Sequence, residues 1–273
     1  MLRSTVGVLV LTLLVASGCS RLSFIRPDPG TKEFERVSVS QPVEVRESPA
    51  AEQRTAVRNR LLLAQREIMR SNLDGAEREA RGALKIDGNS SDAYTLLAVI
   101  EERRGRRAEA GGYYQRAAEL APKNGGALNN YGAWLCSNGR AGESLVWFER
   151  ALQDPSYATP ASALANSGAC ADEIGQAARA ERELRAAIEL DPQNAVALAA
   201  LAQLHFRAGR YMDARAFSER RLAAAPADAR ALQLASQIEH KLGDTAAAAR
   251  YVRRLGEEFP GAVQGTPGGS TQR

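Results

Sequence analysis

Five glycines recur at a nearly constant interval, and this periodicity limits the fold more than any other feature of the sequence. They lie about 34 residues apart and are Gly105, Gly139, Gly175, Gly209 and Gly243. Each follows a stretch whose apolar residues have helical spacing, and glycine readily ends a helix in a turn. A chain built this way is predicted to form a row of similar helical units.

Residues 129–157 show one unit most clearly. Tyr131, Gly132 and Leu135 recur at helical spacing on a first helix, and Phe148 lies on the inward face of a second helix that Pro155 stops. This order of small and large residues, closed by proline, is the tetratricopeptide repeat (TPR) pattern, in which each repeat is a helix-turn-helix pair.

Six copies align in register, starting at Val57, Ser91, Gly125, Ala161, Ala195 and Ala229. Small residues at positions eight and twenty let the paired helices approach, and large residues elsewhere fill the layers between repeats. The end of the third copy, residues 154–160, is two residues longer than the norm. We therefore predict an all-α, right-handed TPR superhelix of six repeats over residues 52–262, with a concave groove and a disordered tail at 263–273.

The N-terminus has the pattern of a targeting segment. A positive charge precedes a short apolar run at residues 6–16, and small residues lead to Cys19. Residues 1–18 are interpreted as a signal peptide, with an uncleaved anchor as the alternative. The stretch resembles the lipobox of bacterial lipoproteins, which implies acylation of Cys19, and Ser20 implies outer-membrane sorting. Residues 19–51, rich in proline and charge, then form a flexible tether.

The composition favours a scaffold over an enzyme. The net charge of +4 comes from interleaved arginine and glutamate, with only 5% aromatic residues, so no basic stripe for nucleic acid is predicted. The adjacent carboxylates Glu101–Glu102 and Asp172–Glu173 point apart on helices. No catalytic residue, cofactor or small-molecule substrate is predicted. A metal site is not predicted either, because C-x-x-C spacing is absent and the two histidines, His205 and His240, lie one or two repeats beyond the cysteines.

Two cysteines remain after Cys19. Cys136 and Cys170 lie late on the first helices of adjacent repeats. In an oxidising compartment they either form a bridge or remain two buried thiols.

Several longer motifs go beyond the TPR consensus. They are NNYGAWLC at 129–136, ALQDPSYATPA at 151–161, NSGAC at 166–170, HFRAGRYMDAR at 205–215 and the closing YVRRL-x-EEFP at 251–260. With these motifs the chain, from the signal peptide to about Pro260, resembles the type IV pilus biogenesis and stability lipoproteins, the PilF/PilW family. Ala16 and Gly88 depart mildly from the family pattern.

The resemblance implies a pilotin, which brings the pilus secretin to the outer membrane and assists its assembly into a ring. It implies a lipid-anchored protein on the periplasmic face, a disulfide between Cys136 and Cys170, and lipidation of Cys19. The alternative is another outer-membrane adaptor that docks peptidoglycan hydrolases or synthases.

Two parts of the groove are candidate protein-binding sites. Asn129, Asn130 and Asn166 fall at groove positions of consecutive repeats, where an amide ladder would bind a peptide backbone or the amides would bond within the solenoid. In the first repeat the groove candidates are Leu61, Gln65, Ile68 and Met69. Their apolar members form an exposed partner patch, or the tether or a helix before Val57 covers them.

Further along the groove the charge is expected to change sign. Asp172 and Glu173 make its middle acidic, and Arg230, His240 and Lys241 make its far end basic.

Overall fold

A computed structural model describes residues 48–263, and all regular structure in this range is helical. The predicted signal peptide, most of the tether, the tail from residue 264 and the candidate lipidation site Cys19 lie outside it. The helices are α1 Pro49–Met69, α2 Leu73–Ile86, α3 Ser91–Arg103, α4 Arg107–Leu120, α5 Gly125–Ser137, α6 Ala141–Leu152, α7 Pro160–Glu173, α8 Ala177–Leu190, α9 Ala195–Arg207, α10 Tyr211–Ala224, α11 Ala229–Leu242, α12 Thr245–Glu258 and the short α13 Pro260–Val263.

The twelve long helices form six pairs, as the repeat pattern predicts. Each odd-numbered helix packs most extensively against the even-numbered helix that follows it, and every first helix also contacts the first helix of the next repeat. The second helices do not approach one another to that extent among the described residues. The first helices therefore form the inner row of the solenoid. No helix within residues 48–263 is long and apolar enough to cross a membrane.

Small residues do meet where the paired helices cross. Ala64, Ala98 and Ala202, at position eight, are buried, as are the residues at position twenty. In the third repeat the small residue is Gly132, where a Cβ atom would lie 2.9 Å from the Phe148 ring. That approach leaves no room for a larger side chain while Phe148 keeps its place.

The turn glycines adopt a left-handed backbone. Their φ angles range from 72° at Gly209 to 83° at Gly243. In the first repeat the same position holds Ser71, the one non-glycine residue within 48–263 that has a positive φ, at 60°. A side chain with a Cβ atom is disfavoured in this region, so the first turn carries strain that the other turns avoid.

We expect Ser71→Gly to stabilise the protein by about 0.5–1 kcal/mol, because relief of the left-handed strain exceeds the extra flexibility of glycine in the unfolded chain. Urea unfolding of the two proteins measures the difference. Gly175→Ala, at the same turn position of the fourth repeat, is the reciprocal control and should destabilise. A Ser71→Gly protein no more stable than the parent would contradict the strain at this turn.

The first helix starts earlier than the repeat pattern predicts. It begins at Pro49, so the last residues of the predicted tether are helical, and α1 is 21 residues long. The Ser48 hydroxyl accepts a hydrogen bond from the Ala51 N–H (3.3 Å), and Glu52 lies in the first turn. These are ordinary signals for a helix start, and they extend α1 beyond the repeat register.

The long connection after α6 folds back onto the start of α5, within the third repeat. Asp154 accepts a hydrogen bond from the Gly125 N–H at the start of α5, at 2.8 Å, and the Tyr157 ring packs over Gly125. Hydrogen bonds from Ser156 and from the Gly125 backbone lower the pKa of Asp154. The additional residues therefore hold the first helix of their own repeat by its N-terminus.

Candidate protein-binding groove

The inner surface begins with an exposed apolar strip on α1. Leu62 is 54% exposed and Met69 is 84% exposed, and Gln65 lies exposed between them. Leu61 is only half-buried, against the core of the first two repeats. Leu62 was absent from the sequence-based candidates, although it occupies the same repeat position as Asn130 and Asn166. This shared repeat position could have identified Leu62 from the sequence.

Ile68 is not part of this strip, which corrects the sequence-based prediction. It is 6% exposed and belongs to a core cluster formed by α1, α2 and α3. The C-terminus of α3 approaches α1 at this point, where the Arg103 guanidinium donates a hydrogen bond to the Ile68 carbonyl at 2.7 Å. Contact with the next repeat therefore covers Ile68.

The helical residues before Val57 do not cover the strip. They continue α1 without a break and instead reach the loop after α2, where the Gln53 amide donates to the Ile86 carbonyl at 3.1 Å. Beside this contact lies an open cavity of about 730 Å³, which is lined by α1, by the loop between α2 and α3, and by Asn124. The strip thus remains accessible in the part of the chain that the structure describes.

The three asparagines separate into a structural pair and one accessible amide. The Asn166 amide donates to the Asn129 side-chain oxygen at 3.1 Å, and Asn129 is buried, so this contact joins α5 to α7 within the solenoid. Asn130 is partly exposed, and its side chain makes no hydrogen bond to a described residue. Asn130 therefore keeps its whole amide available to a ligand, whereas Asn166 has one N–H engaged in the contact with Asn129.

The same two helices carry the cysteine pair. The Cα atoms of Cys136 and Cys170 are 5.9 Å apart and their sulfurs are at bonding distance, 2.02 Å. Both side chains are buried beside the core of the third and fourth repeats. The bridge joins the first helices of consecutive repeats, next to the Asn129–Asn166 contact.

Arginines pair with Glu101, one of the carboxylates that lie side by side in the sequence. Glu101 is buried and accepts hydrogen bonds from Arg104, at 3.0 Å, and from Arg106. Arg104 also binds Glu77 at 2.6 Å, and this contact is the main cause that lowers the pKa of Glu77. These groups form ion pairs that link α2 to α3, which is a structural use of the charges.

The acidic middle of the groove is smaller than predicted. Asp172 on α7 forms an ion pair with Arg207 on α9, so its charge is compensated across two repeats. At the far end, Arg230 and Lys241 form no ion pair with a described residue. The uncompensated charge of the groove in this region is therefore positive.

His205 is a core residue. It is 2% exposed, and its Nδ1 accepts a hydrogen bond from Arg210 Nε at 2.9 Å, which places its proton on Nε2. Burial is the main cause that lowers the pKa of His205, Arg210 lowers it further, and Glu181 and Asp213 oppose the shift. The imidazole is neutral at pH 7 and packs against Phe217, with 5.1 Å between the ring centres.

Known proteins share this architecture along most of the chain. Tetratricopeptide repeat models match residues 91–124 and 174–238. The type IV pilus assembly protein PilF of Pseudomonas aeruginosa is 26% identical over 197 residues, which are 72% of this chain and 78% of that protein.

Two solved structures extend the similarity to three dimensions. The crystal structure of PilW, a widely conserved type IV pilus biogenesis factor, is 29% identical with a TM-score of 0.68, covering 76% of this chain and 96% of PilW. The structure of Pseudomonas aeruginosa PilF is 25% identical with a TM-score of 0.68, covering 78% of this chain and 96% of PilF. Sequence, repeat pattern and fold agree, and the chain is a TPR protein of the PilF/PilW family.

Proposed function

We propose that this protein is an outer-membrane pilotin of type IV pilus biogenesis, which binds secretin subunits and promotes their assembly into the outer-membrane ring. The exposed apolar strip of α1, Leu62 with Met69, is the observation that carries the proposal, since an accessible apolar surface at the start of a solenoid groove is suited to a protein partner. The names of the relatives, a pilus assembly protein and a pilus biogenesis factor, support the choice of partner.

We propose further that acyl chains on Cys19 hold the protein on the periplasmic face of the outer membrane. Several chains on one residue give firm anchoring where one chain alone is marginal. The paired arginines around Glu101 and Asp172 support a role without catalysis, because those carboxylates are engaged in the fold. The protein then acts by presenting a surface.

The test replaces the strip by charge. We expect Leu62→Glu with Met69→Glu to abolish surface pili and secretin multimers, because two carboxylates cannot enter an apolar interface without a large desolvation cost. Both side chains are exposed, so the thermal unfolding temperature should stay near that of the parent. Immunoblots of unheated outer membranes measure the multimers, and electron microscopy measures the pili.

A matched control uses the same residue types elsewhere. Leu190 and Met212 are 59% and 64% exposed and lie on second helices, on the other row of the solenoid. Leu190→Glu with Met212→Glu should leave pili and multimers intact. Normal pili in the strip variant, or equal loss in both variants, would refute the binding role of the strip. Recovery of peptidoglycan hydrolases instead of secretin in an affinity pulldown would favour the adaptor alternative.

A further inference from the structure

The last two repeats contain a second accessible cleft, apart from the α1 strip. It has a volume of about 420 Å³, which is within the range of ligand-binding pockets, and lies between α9 and α11. Its walls are mainly alanine, with Val196 and Leu234 as the larger apolar side chains, and Ala199 lies on the α9 side. The walls are therefore mainly apolar, and their small side chains let another backbone approach closely.

The inner helices that flank the cleft are packed less closely than the pair before them. Helix α9 packs closely against α7, whereas α9 and α11 touch only slightly. The floor comes from the second helix between them, through Ser218 and Arg221 of α10. Val196 at the mouth is about half exposed, so apolar surface that a closer α11 would bury remains accessible.

The charged side chains around the cleft differ in whether they are free to bind a ligand. Arg221 is buried, and its guanidinium binds the carbonyls of Ala225 and Pro226, at 3.2 Å each, and the Asp228 carboxylate, at 2.7 Å. Asp228 also accepts a hydrogen bond from the Ala231 N–H as the cap of α11. Both groups are thus occupied in shaping the loop. Arg230 is exposed on the rim and has no ion-pair partner among the described residues.

We propose that this cleft docks an acidic peptide segment of a partner protein, which inserts apolar side chains between α9 and α11 and places a carboxylate against Arg230. The apolar walls supply the anchor, and the free guanidinium selects for negative charge, because an arginine binds a carboxylate in a two-pronged geometry. The cleft is separate from the α1 strip, so this proposal does not depend on the proposed binding of secretin at that strip.

Three fluorescein-labelled synthetic peptides test this on the purified protein by fluorescence anisotropy. One carries two leucines flanked by aspartates, the second has lysines in place of the aspartates, and the third has serines in place of the leucines. We expect saturable binding of the first peptide, with affinity for the other two about tenfold or more weaker. Absence of saturable binding by the first peptide, or equal binding of all three, would overturn the proposal.

Variants locate the binding. Ala199→Phe fills the cleft and Arg230→Glu reverses its charge, so each should weaken binding of the leucine–aspartate peptide about tenfold or more. The controls are Ala178→Phe on α8 and Arg253→Glu on α12, both at exposed positions outside the cleft. They should bind as the parent does. Unchanged binding by Ala199→Phe, in a protein that keeps its thermal unfolding temperature, would place the peptide elsewhere and refute the site.

Discussion

Replacing Ile68 by glutamate is expected to lower the free energy of unfolding by about 3–5 kcal/mol, the scale of losing a large apolar side chain from a core or of burying a charge without a partner. Ile68 is 6% exposed and packs in a cluster that includes Ala64, Leu97 and Ile100. Guanidinium unfolding followed by circular dichroism measures the loss.

The adjacent residue provides the control. Met69 is 84% exposed, so Met69→Glu should change the free energy of unfolding by less than about 0.5 kcal/mol, as surface substitutions usually do. The contrast between two neighbours tests the rotation of α1 about its axis. Similar stabilities for the two variants would show that α1 is rotated differently. Because Ile68 is part of the core, its substitution disturbs folding, and the exposed Leu62 and Met69 are the pair that tests binding alone.

Breaking the Cys136–Cys170 bridge is expected to cost about 3–4 kcal/mol in the chain-entropy model, since the bridge closes a loop between residues separated by 34 positions. Without it the unfolded chain gains conformations, and the native contact between α5 and α7 keeps only its packing and the Asn129–Asn166 hydrogen bond. Denaturant unfolding of oxidised protein and of the Cys136→Ser/Cys170→Ser variant measures the difference.

Two controls make this prediction specific. Each single serine variant should be as unstable as the double variant, because either change removes the same bond and the effects do not add. In unfolded, non-reduced protein neither thiol should react with a maleimide reagent. Reaction of both cysteines, with unfolding unaffected by reductant, would show that the pair remains reduced.

The local repeat pattern determined the fold. Glycine at the turn position, together with small residues at positions eight and twenty, was enough to place five of the six turns and the helix crossings, because these requirements act within one repeat. The turn of the first repeat keeps the same backbone conformation without glycine, because Ser71 at that position also has a left-handed φ. The residues before Val57 were harder to assign. Helix capping at Ser48, which is independent of the repeat period, starts α1 early.

Only the tertiary structure decided which groove positions are accessible. The sequence placed Ile68 and Met69 on one surface, but the next repeat covers Ile68 and leaves Met69 exposed. It grouped Asn130 with Asn166, whereas Asn166 instead binds Asn129 across the repeat boundary. The cleft between α9 and α11 likewise depends on the distance between two repeats. Residues within one helix pair set the geometry of that pair. The exposure of side chains along the groove depends instead on how each pair packs on its neighbour, and the pattern of a single repeat carries no information about that packing.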